Sequence, residues 1–547
     1  MGSVNPINET ILGNLSKIIT AYNATEVLQI LKYKAGYYAS EIGSVINGTS
    51  INAVNMTIGV SRGPVPKGYV PALLAAYIVY ALFLIYVIAQ ELSIIRSAYG
   101  RLRGGSFPSG RWTGPLPKIS VIIPIKGEDI DAVVQAVKRL EAVDYPRELL
   151  EVIVVSDDDA SYFEALKRAL AKGVGVSLKL IRRDRAVGYK GGAVNYALKY
   201  ASGEVVTILD VDTVLPRNYF KRALDYLAAG YDFVGAPFIG IPRVPTGFSR
   251  HLSTLFNILS EIQIRGRALL RMNNKGFYMI IGNNLTMFKR RLIEYGGLCH
   301  CKADDMDLAY KVWARGGRIG LMDIYVTTEI PSTYTAFRSQ TIRWATNDML
   351  VLKSRIREIL LSGKNPYDVL DILMWLTKYP TAYIGLVSIV VTVIMQILNI
   401  IMPPLWLMAL MVAADALGAI LIVSILLVGV DMGYDALTVF KSLIVGGLTM
   451  YSLTFPLIAY LTKALIGDIP WMYTPKASKA LMRQGFVIER LAFTLVALLS
   501  VVMLVVNHPI LSLYMAVNAA IIWMGYNVDK PFSRLSLVGM GNARLNI

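Results

Sequence analysis

The sequence contains only two cysteines among its 547 residues, Cys299 and Cys301. They are too few and too close together to form a disulfide framework. With His300 they offer three candidate metal ligands, but the chain has no four-ligand zinc spacing, so packing or loop placement is the favoured interpretation. The amino terminus lacks the apolar run of a secretory signal peptide. No internal repeat or low-complexity tract stands out.

Acidic residues are also scarce, because 38 Asp and Glu residues face 55 Lys and Arg residues, for a formal net charge of +17. There is no basic tail and no array of basic and aromatic residues, so nucleic acid is not an expected partner. The positive-inside bias of membrane proteins and attraction to anionic lipid headgroups account for the surplus instead.

Apolar residues are abundant, since 54% of the chain is hydrophobic. Several apolar runs reach the roughly 20 residues that cross a bilayer. Residues 119–363 instead carry charges throughout and alternate strand-like with helical patterns. The composition therefore predicts a multi-pass cell-membrane protein with one soluble, catalytic-looking domain.

The flanks of the first predicted span, residues 70–88, orient the chain. Five basic residues follow it, and no acid occurs between Glu91 and Glu128, so the next domain is expected in the cytoplasm. The preceding segment carries five sequons, which favours an outside location over an Asn- and Thr-rich amphipathic arm. The sequons begin at Asn8, Asn14, Asn23, Asn47 and Asn55.

The C-terminal third is predicted to be membrane. Spans are expected near 382–400, 406–428, 486–506 and 510–524. Residues 443–465 are also apolar, but a span there would leave the basic segment 463–479 outside, so an interfacial or re-entrant segment is preferred. Asp415 lies within a span, where a carboxylate is costly, and is either a functional residue or a polar contact near the span end.

These observations divide the chain into five predicted parts. They are an extracytoplasmic segment at 1–68, a transmembrane helix at 69–95, a cytoplasmic α/β domain with an interfacial helix at 115–365, a membrane domain at 366–530 that contains a cytoplasmic loop at 466–482, and a cytoplasmic tail at 531–547.

Residues 188–216 are the most informative stretch of the soluble domain. A glycine-rich turn with Lys190 opens an apolar helix, and the following strand ends at Asp210-Val211-Asp212. Backbone N–H groups at a helix start and an ammonium group suit a phosphate. Two carboxylates at a strand end suit a divalent cation, Mg2+ or Mn2+, that also holds a phosphate. The stretch therefore predicts a nucleotide-diphosphate site.

Three strands are predicted before this stretch, at 119–125, 152–155 and 178–181. Their alternation with helices predicts an α/β fold, a mostly parallel sheet with helices on both faces. Ligands of such sheets bind beyond the carboxyl ends of the strands, where Asp157 and Asp210 are expected. Capping of a helix is the alternative for the run Asp157–Asp159, although it explains one of these acids more easily than three.

Two later segments carry further candidates. Asp304 and Asp305 open a helix, where acids interact favourably with the dipole, but three acids in four residues exceed what capping needs, and one could act as a general base. Gln340, Arg343 and Trp344 share one helical face. That face suits an anionic leaving group and a stacked sugar. The alternative is an interfacial helix with a snorkelling arginine and an anchoring tryptophan.

In this order, the motifs resemble those of the membrane-integrated family 2 glycosyltransferases, which include cellulose synthase, hyaluronan synthase and chitin synthase. The family pattern is an Asp after the second strand, a DxD, an acidic residue followed by Asp, and QxxRW. Here the pattern falls on Asp157, Asp210-Val211-Asp212, Asp304-Asp305 and Gln340-Thr341-Ile342-Arg343-Trp344. The resemblance covers residues 119–476 and implies a GT-A-like domain flanked by transmembrane helices.

The resemblance also implies roles for these residues. Asp157 and Lys190 would lie at the nucleotide, and Asp305 would deprotonate the acceptor hydroxyl. Asp210 and Asp212 would hold the diphosphate through a metal. The residues that would line the acceptor and the diphosphate are Asp304, Gln340, Arg343 and Trp344. A loop that resembles the synthases' gating loop would close on the diphosphate with Thr474 and Lys476.

The implied reaction is inverting, metal-dependent transfer of a sugar from a nucleotide-diphosphate sugar, with a UDP-sugar expected. The acceptor would be a polysaccharide or a lipid-linked molecule at the cytoplasmic membrane face, and β-linkages would form. Single-sugar transfer to a membrane lipid is one alternative. A non-catalytic transport or assembly scaffold is another, against which intact Asp210, Asp305 and Arg343 argue. Nothing in the sequence identifies the sugar or an accessory subunit.

Overall fold

The computed structural model describes residues 60–61, 67–105, 109–171, 173–271, 277–279, 282–398, 400–467, 486–505 and 509–529. The five sequons, the predicted tail at 531–547, and Thr474 and Lys476 lie outside the described residues. The chain divides into two units, Met1–Ile78 with Ile394–Ala409, and Val79–Val393 with Leu410–Ile547.

The strands and helices follow one another in the alternating order that the sequence predicts for the soluble domain. The strands are β1 (Val60–Ser61), β2 (Ile119–Ile125), β3 (Leu150–Ser156), β4 (Ser177–Arg182), β5 (Val205–Leu209), β6 (Phe233–Gly235), β7 (Phe238–Pro242), β8 (Asn284–Phe288), β9 (Ile319–Leu321), β10 (Val326–Ile330) and β11 (Ile400–Met402). In the first unit, β1 pairs antiparallel with β11.

The longest of the described helices is the first, with 34 residues. They are α1 (Val70–Arg103), α2 (Ile130–Arg139), α3 (Ala160–Leu170), α4 (Tyr189–Ala197), α5 (Tyr219–Ala228), α6 (Gly247–Ser260), α7 (Arg267–Arg271), α8 (Lys289–Glu294), α9 (Asp304–Ala314), α10 (Tyr334–Leu360), α11 (Pro366–Leu376), α12 (Ala382–Ile397), α13 (Leu405–Asp431), α14 (Ala436–Ser452), α15 (Thr454–Ile466), α16 (Val487–Val505) and α17 (Pro509–Tyr526).

The main sheet of the second unit has seven strands in the order β4-β3-β2-β5-β8-β6-β9. Its neighbours run parallel except at β8, which is antiparallel to both β5 and β6. A separate parallel pair joins β7 to β10. The predicted fold, a mostly parallel GT-A-like sheet with helices, is confirmed.

Alternation along the buried strands explains why helices cover both faces of the sheet. In β2, Val121 and Ile123 pack into the core beside α2, α3 and α5, whereas Ile122 packs into the core beside α4 and α9. Both faces are apolar, as expected for central strands of a parallel sheet. The predicted bounds of β2 are correct, β5 ends directly before Asp210 as predicted, and β3 and β4 are each longer than predicted.

The strand order brings the candidate acids to one edge. Because β2 lies between β3 and β5, Asp157 and Asp210 flank its carboxyl end. The antiparallel strand β8 begins at the same edge, and the Asp210 N–H donates to the Asn283 carbonyl oxygen at 3.0 Å. The residues before β8 therefore reach the same place as the acids.

Within the described part of the chain, three helices are long and apolar enough to cross a membrane, namely α1, α13 and α16, or up to five spans if each of two bent pairs counts as one. The bent pairs are α11 with Tyr379–Met395, at 63°, and α14 with α15, at 48°. The first of these helices continues to Arg103, beyond the predicted 70–88. The bend between α14 and α15 lies inside the segment 443–465, for which an interfacial or re-entrant path was the preferred interpretation.

Candidate active site

Asp157, the first acid after β3, is held by a residue that the sequence reasoning did not single out. Arg183 Nε donates to Asp157 Oδ1 at 2.6 Å and Nη2 donates to Oδ2 at 2.5 Å. Both side chains are only 6% exposed. The two neighbouring acids have local tasks, since Asp158 accepts from the Gly127 N–H and Asp159 caps α3. Capping thus explains one acid of the three.

Arg183 also supports the glycine-rich turn that precedes α4. Its Nη1 donates to the Val187 carbonyl oxygen at 2.8 Å. The turn needs a left-handed residue at Gly188, whose φ is +81°, and Tyr189 follows with a φ of +52°. The buried Asp157–Arg183 pair therefore fixes the turn that opens the helix.

Lys190, in the first turn of α4, reaches across to the strand-end acids. Its Nζ donates to Asp210 Oδ1 at 2.6 Å and to the Gly282 carbonyl oxygen at 2.7 Å. Burial alone would lower the pKa of Lys190, but the carboxylates of Asp210 and Asp304 outweigh it and raise that pKa above 10.5. The ammonium group stays charged where a phosphate would bind.

Gly191 sits under the loop that leads to α9. A Cβ at this position would collide with the Cys299 carbonyl oxygen and approach Leu298 Cβ to 3.1 Å. Asn195 holds the same loop, since its Nδ2 donates to the Leu298 carbonyl oxygen at 2.8 Å and its Oδ1 accepts from the Leu298 N–H at 3.0 Å. The α4 turn and the α9 loop are thus assembled as one unit.

Gly191→Ala is expected to weaken nucleotide-sugar binding about tenfold, because the roughly 1–3 kcal/mol cost of overpacking falls on this turn. Isothermal titration with the donor measures the effect. Gly447→Ala is the matched control, since nothing lies within 4 Å of a Cβ added there. Equal affinities of the two variants would contradict the packing argument.

Four carboxyl groups and two cations meet at this edge of the sheet. They belong to Asp210, Asp212, Asp304 and Asp305, and to Lys190 and Arg343. Burial raises the pKa of Asp304 to about 7, with Asp305 and Asp210 adding to the shift and Lys190 opposing it. Burial also raises the pKa of Asp305, against the Lys190 charge and the Met306 N–H, which donates to Asp305 Oδ1 at 2.8 Å.

Arg343 faces all four carboxyl groups from α10. Burial lowers the pKa of its guanidinium, and the four carboxylates oppose that shift. On the same helix, Gln340 Oε1 is buried without a hydrogen-bond partner among the described residues. Trp344 stacks on Phe256 with ring centroids 6.1 Å apart. The structure therefore brings Arg343 to the acids and turns Trp344 against an aromatic side chain.

The strand-end acids fit a divalent cation that is shared with a phosphate. Among the described residues, no group of three or more His, Cys, Asp and Glu side chains forms a metal-binding cluster. Mg2+ is commonly held by one or two carboxylates together with substrate phosphates, however, and Asp210 and Asp212 provide that pair.

Cys299 and Cys301, which were not expected to form a disulfide framework, are joined by a disulfide bond. Spacing alone gave no indication of it, because a single residue separates them. His300, between them, lies against Gly188, where an added Cβ would come within 2.6 Å of its Cγ. The favoured interpretation of this tripeptide, packing rather than zinc binding, agrees with these contacts.

Residues 120–296 match the family described as Glycosyl transferase family 2. These residues form a family 2 glycosyltransferase domain. The match covers the strands and turns that carry Asp157, Lys190 and Asp210. The expectation of a glycosyltransferase is confirmed at the level of this domain.

The chain is similar to a probable glycosyltransferase of Sulfolobus acidocaldarius, with 26% identity over 48% of this chain and 57% of that protein. It is 25% identical to the beta-monoglucosyldiacylglycerol synthase of Synechocystis sp., over 43% of this chain and 48% of that protein. It thus spans about half the length of the curated relatives it matches. A solved mannosyltransferase, PcManGT from Pyrobaculum calidifontis in complex with GDP-Man and Mn2+, is 19% identical, with a TM-score of 0.47 over 71% of this chain and 98% of that one.

Two residues at the site, Arg183 and Gly282, were not predicted from the sequence, although it contains a signal for each. Ser156 pairs with Arg182 in the parallel register of β3 and β4, so the next residues, Asp157 and Arg183, must lie side by side. Gly282 accepts from Lys190 and allows Asp305 close, since a Cβ there would lie 2.7 Å from Asp305 Oδ2. A glycine just before a strand that pairs with β5 is the signal for it.

Proposed function

We propose that this chain is an inverting, metal-dependent glycosyltransferase that acts at the cytoplasmic face of the cell membrane. The donor is a nucleotide-diphosphate sugar, with a UDP-sugar expected, and the acceptor is a polysaccharide or a lipid-linked molecule. The observation that carries the proposal is the meeting of Lys190, Arg343 and four carboxyl groups beyond the carboxyl ends of β3 and β5. Open α/β sheets bind their ligands there.

The donor half of the site is assigned to the β3 and β5 ends. In this proposal Asp157, oriented by Arg183, accepts from the nucleoside, and the α4 turn with Lys190 binds the diphosphate. Asp210 and Asp212 would hold Mg2+ or Mn2+. When bound, the ion neutralises charge on the leaving diphosphate.

The acceptor half is assigned to α9 and α10. Asp305 takes the proton of the acceptor hydroxyl, and its raised pKa makes it a stronger base than an ordinary aspartate. Arg343 stabilises the charge that develops on the diphosphate. One base and no second carboxylate nucleophile suffice for a single displacement, so the anomeric configuration inverts and an α-linked donor gives a β-linkage.

The remaining assignments complete the site. Asp304, Gln340 and Trp344 are proposed to line the acceptor and diphosphate end, and Thr474 and Lys476 to close on the diphosphate. The cytoplasmic location rests on the basic residues after the first span. Single-sugar transfer to a membrane lipid is the second candidate function, favoured by a cavity between the domain and the apolar helices that is described below.

The direct test is turnover of a panel of UDP- and GDP-sugars by the purified chain in lipid nanodiscs, with Mg2+ or Mn2+, followed by sizing of the product. A ladder of long products would establish a polymerising enzyme and name its sugar. A product of one sugar on a lipid would establish the second candidate. Absence of turnover with every donor, despite intact donor binding, would favour the scaffold.

Asp212→Ala is expected to weaken metal-dependent donor binding by more than about tenfold. Removing a residue that only supports a metal ligand already costs roughly that much, and Asp212 is proposed to bind the metal directly. Donor titrations with and without Mn2+ measure it. Asp184→Ala is the control, because the Asp184 side chain is 91% exposed and pairs with Arg182. Metal-dependent affinity equal to that of the wild type would remove Asp212 from the metal site.

A further inference from the structure

A cavity of about 430 Å³ lies between the glycosyltransferase domain and the apolar helices of the second unit. Residues of α1, α12 and the α14–α15 pair form its walls, and Arg267 of α7 lies at one side. Side chains such as Leu386, Ile389 and Phe455 make it largely apolar. Its volume is within the range of small-ligand sites.

The cations at the cavity are already balanced by carboxylates. Lys378 pairs with Asp348, and Arg267 Nη2 lies 2.9 Å from Asp371 Oδ2. Arg271, behind it, pairs with Asp371 at 2.6 Å and lies 3.9 Å from Asp368. A phosphate that entered would find no cation without a carboxylate partner among these residues.

Some polar groups of the cavity are occupied, but two buried atoms of lining side chains, Glu91 Oε2 and Trp375 Nε1, have no hydrogen-bond partner among the described residues. Gln90 Nε2 donates to Tyr86 Oη at 2.7 Å and to the Met374 carbonyl oxygen at 2.8 Å. Glu91 Oε2, in contrast, is buried without a hydrogen-bond partner among the described residues. A buried carboxylate oxygen of this kind needs a donor, and the ligand that satisfies it must carry a hydroxyl or another N–H or O–H group.

A second carboxylate adds to the negative charge around Glu91. Asp415 of α13 lies near enough to interact electrostatically with Glu91. Like charges disfavour an anionic headgroup at this position. The sequence left two interpretations of Asp415 open, a functional role and a polar contact. Through Glu91, Asp415 now has an electrostatic effect on the cavity.

An ion pair also connects the wall of the cavity to helix α10. Lys378, on its wall, binds Asp348 of α10, whose pKa burial raises to about 6. Asn347, beside Asp348 on α10, donates to the Lys302 carbonyl oxygen at 2.9 Å, three residues before Asp305, and the Asp305 carboxyl adds to the raised pKa of Asp348. The polar side of the cavity is therefore bonded to the helix that also carries Arg343.

We infer that this cavity is the acceptor site and that it binds the headgroup of a neutral, hydroxyl-bearing lipid in preference to an anionic lipid. The apolar walls take the lipid chains, Glu91 accepts from the headgroup, and the paired cations give a phosphate no compensation. The inference rests on the proposed glycosyltransferase function and specifies its acceptor class.

Binding is measured on the full chain in detergent micelles by microscale thermophoresis, with dioleoylglycerol and dioleoyl phosphatidate as probes that share their acyl chains. We expect dioleoylglycerol to bind at least about tenfold more tightly. Ala382→Trp, which fills the cavity, should abolish this binding while donor affinity stays at the wild-type value. Val390→Trp, on the same helix at a residue that is 48% exposed, is the matched control and should bind normally.

Glu91→Gln keeps the shape and removes the charge, so it should bring the two lipid affinities closer together. Equal or tighter binding of phosphatidate to the wild type, an unchanged ratio in Glu91→Gln, or equal effects of the two tryptophans would overturn the inference. These readouts need no sugar transfer. Lipid binding without turnover of any donor would support the lipid site and reject the proposed function. Turnover onto a soluble glycan without lipid binding would support the proposed function and reject the lipid site.

Discussion

Asp305→Asn is expected to lower sugar transfer by about 10²–10⁴-fold, the contribution of a positioned general base, while donor affinity stays unchanged. Asn keeps the size and can still accept the Met306 N–H, but it cannot take the acceptor proton. Asp305 lies at the start of α9, next to Gly282 and within range of Lys190 and Arg343, so the donor side of the site is built by other residues. Turnover and donor titration on the same sample separate the two effects.

Asp304→Asn is the matched control, because the neighbouring carboxyl lies in the same buried cluster. We expect it to reduce turnover much less, since it alters the charge around the base and leaves the base in place. Near-normal turnover of Asp305→Asn, or a larger loss in Asp304→Asn, would show that the base is assigned to the wrong residue.

The pH profile gives an independent readout of the same assignment. Burial raises the pKa of Asp305, and that of Asp304 to about 7, so both folded-state values lie above the ordinary value for aspartate. A carboxyl acts as a base only when it is deprotonated, so wild-type turnover should rise as pH rises through the apparent pKa of the pair and fall on acidification. The residual activity of Asp305→Asn should lose that dependence.

The strands of the soluble domain could be predicted from sequence because their residues decide them locally. The β-branched run of β2 and the acids directly after β3 and β5 can be recognised in the sequence without any knowledge of the tertiary structure. Partner choice is not local. Asp157 was assigned to the nucleotide, and the structure gives it a bidentate partner 26 residues away, which only the register of β3 with β4 brings beside it.

The apolar helices show the opposite balance. Hydropathy locates α1, α13 and α16, but it does not show where a helix bends. The 63° break after α11 and the 48° break after α14 could therefore not be predicted from it. The predicted loop with Thr474 and Lys476 lies outside the described residues and stays a prediction. Glu489 was overlooked, although an acid inside an apolar span is a signal for a functional or structural role.

Glu489→Gln is expected to destabilise the protein by about 3–5 kcal/mol, because removing one partner of a buried ion pair leaves the other charge uncompensated. Glu489 of α16 is fully buried and binds Arg338 of α10, whose side chain is 10% exposed. Tyr334 Oη donates to Glu489 Oε1 at 3.3 Å and accepts from Ser452 Oγ of α14 at 3.0 Å. One polar network thus ties three helices together.

The double variant Arg338→Met with Glu489→Leu distinguishes the value of the pair from the cost of breaking it. Since well-packed apolar residues often replace a buried pair without loss, the double variant should be more stable than Glu489→Gln. Asp144→Asn, which breaks the exposed pair with Lys221, should change stability by only about 0–1 kcal/mol. Unfolding in a graded detergent series, followed by tryptophan fluorescence, measures all four proteins. Because α10 also carries Arg343, turnover should fall with stability in Glu489→Gln and recover in the double variant. If the double variant is as unstable as Glu489→Gln, the network stabilises the protein through its hydrogen bonds and not through charge balance.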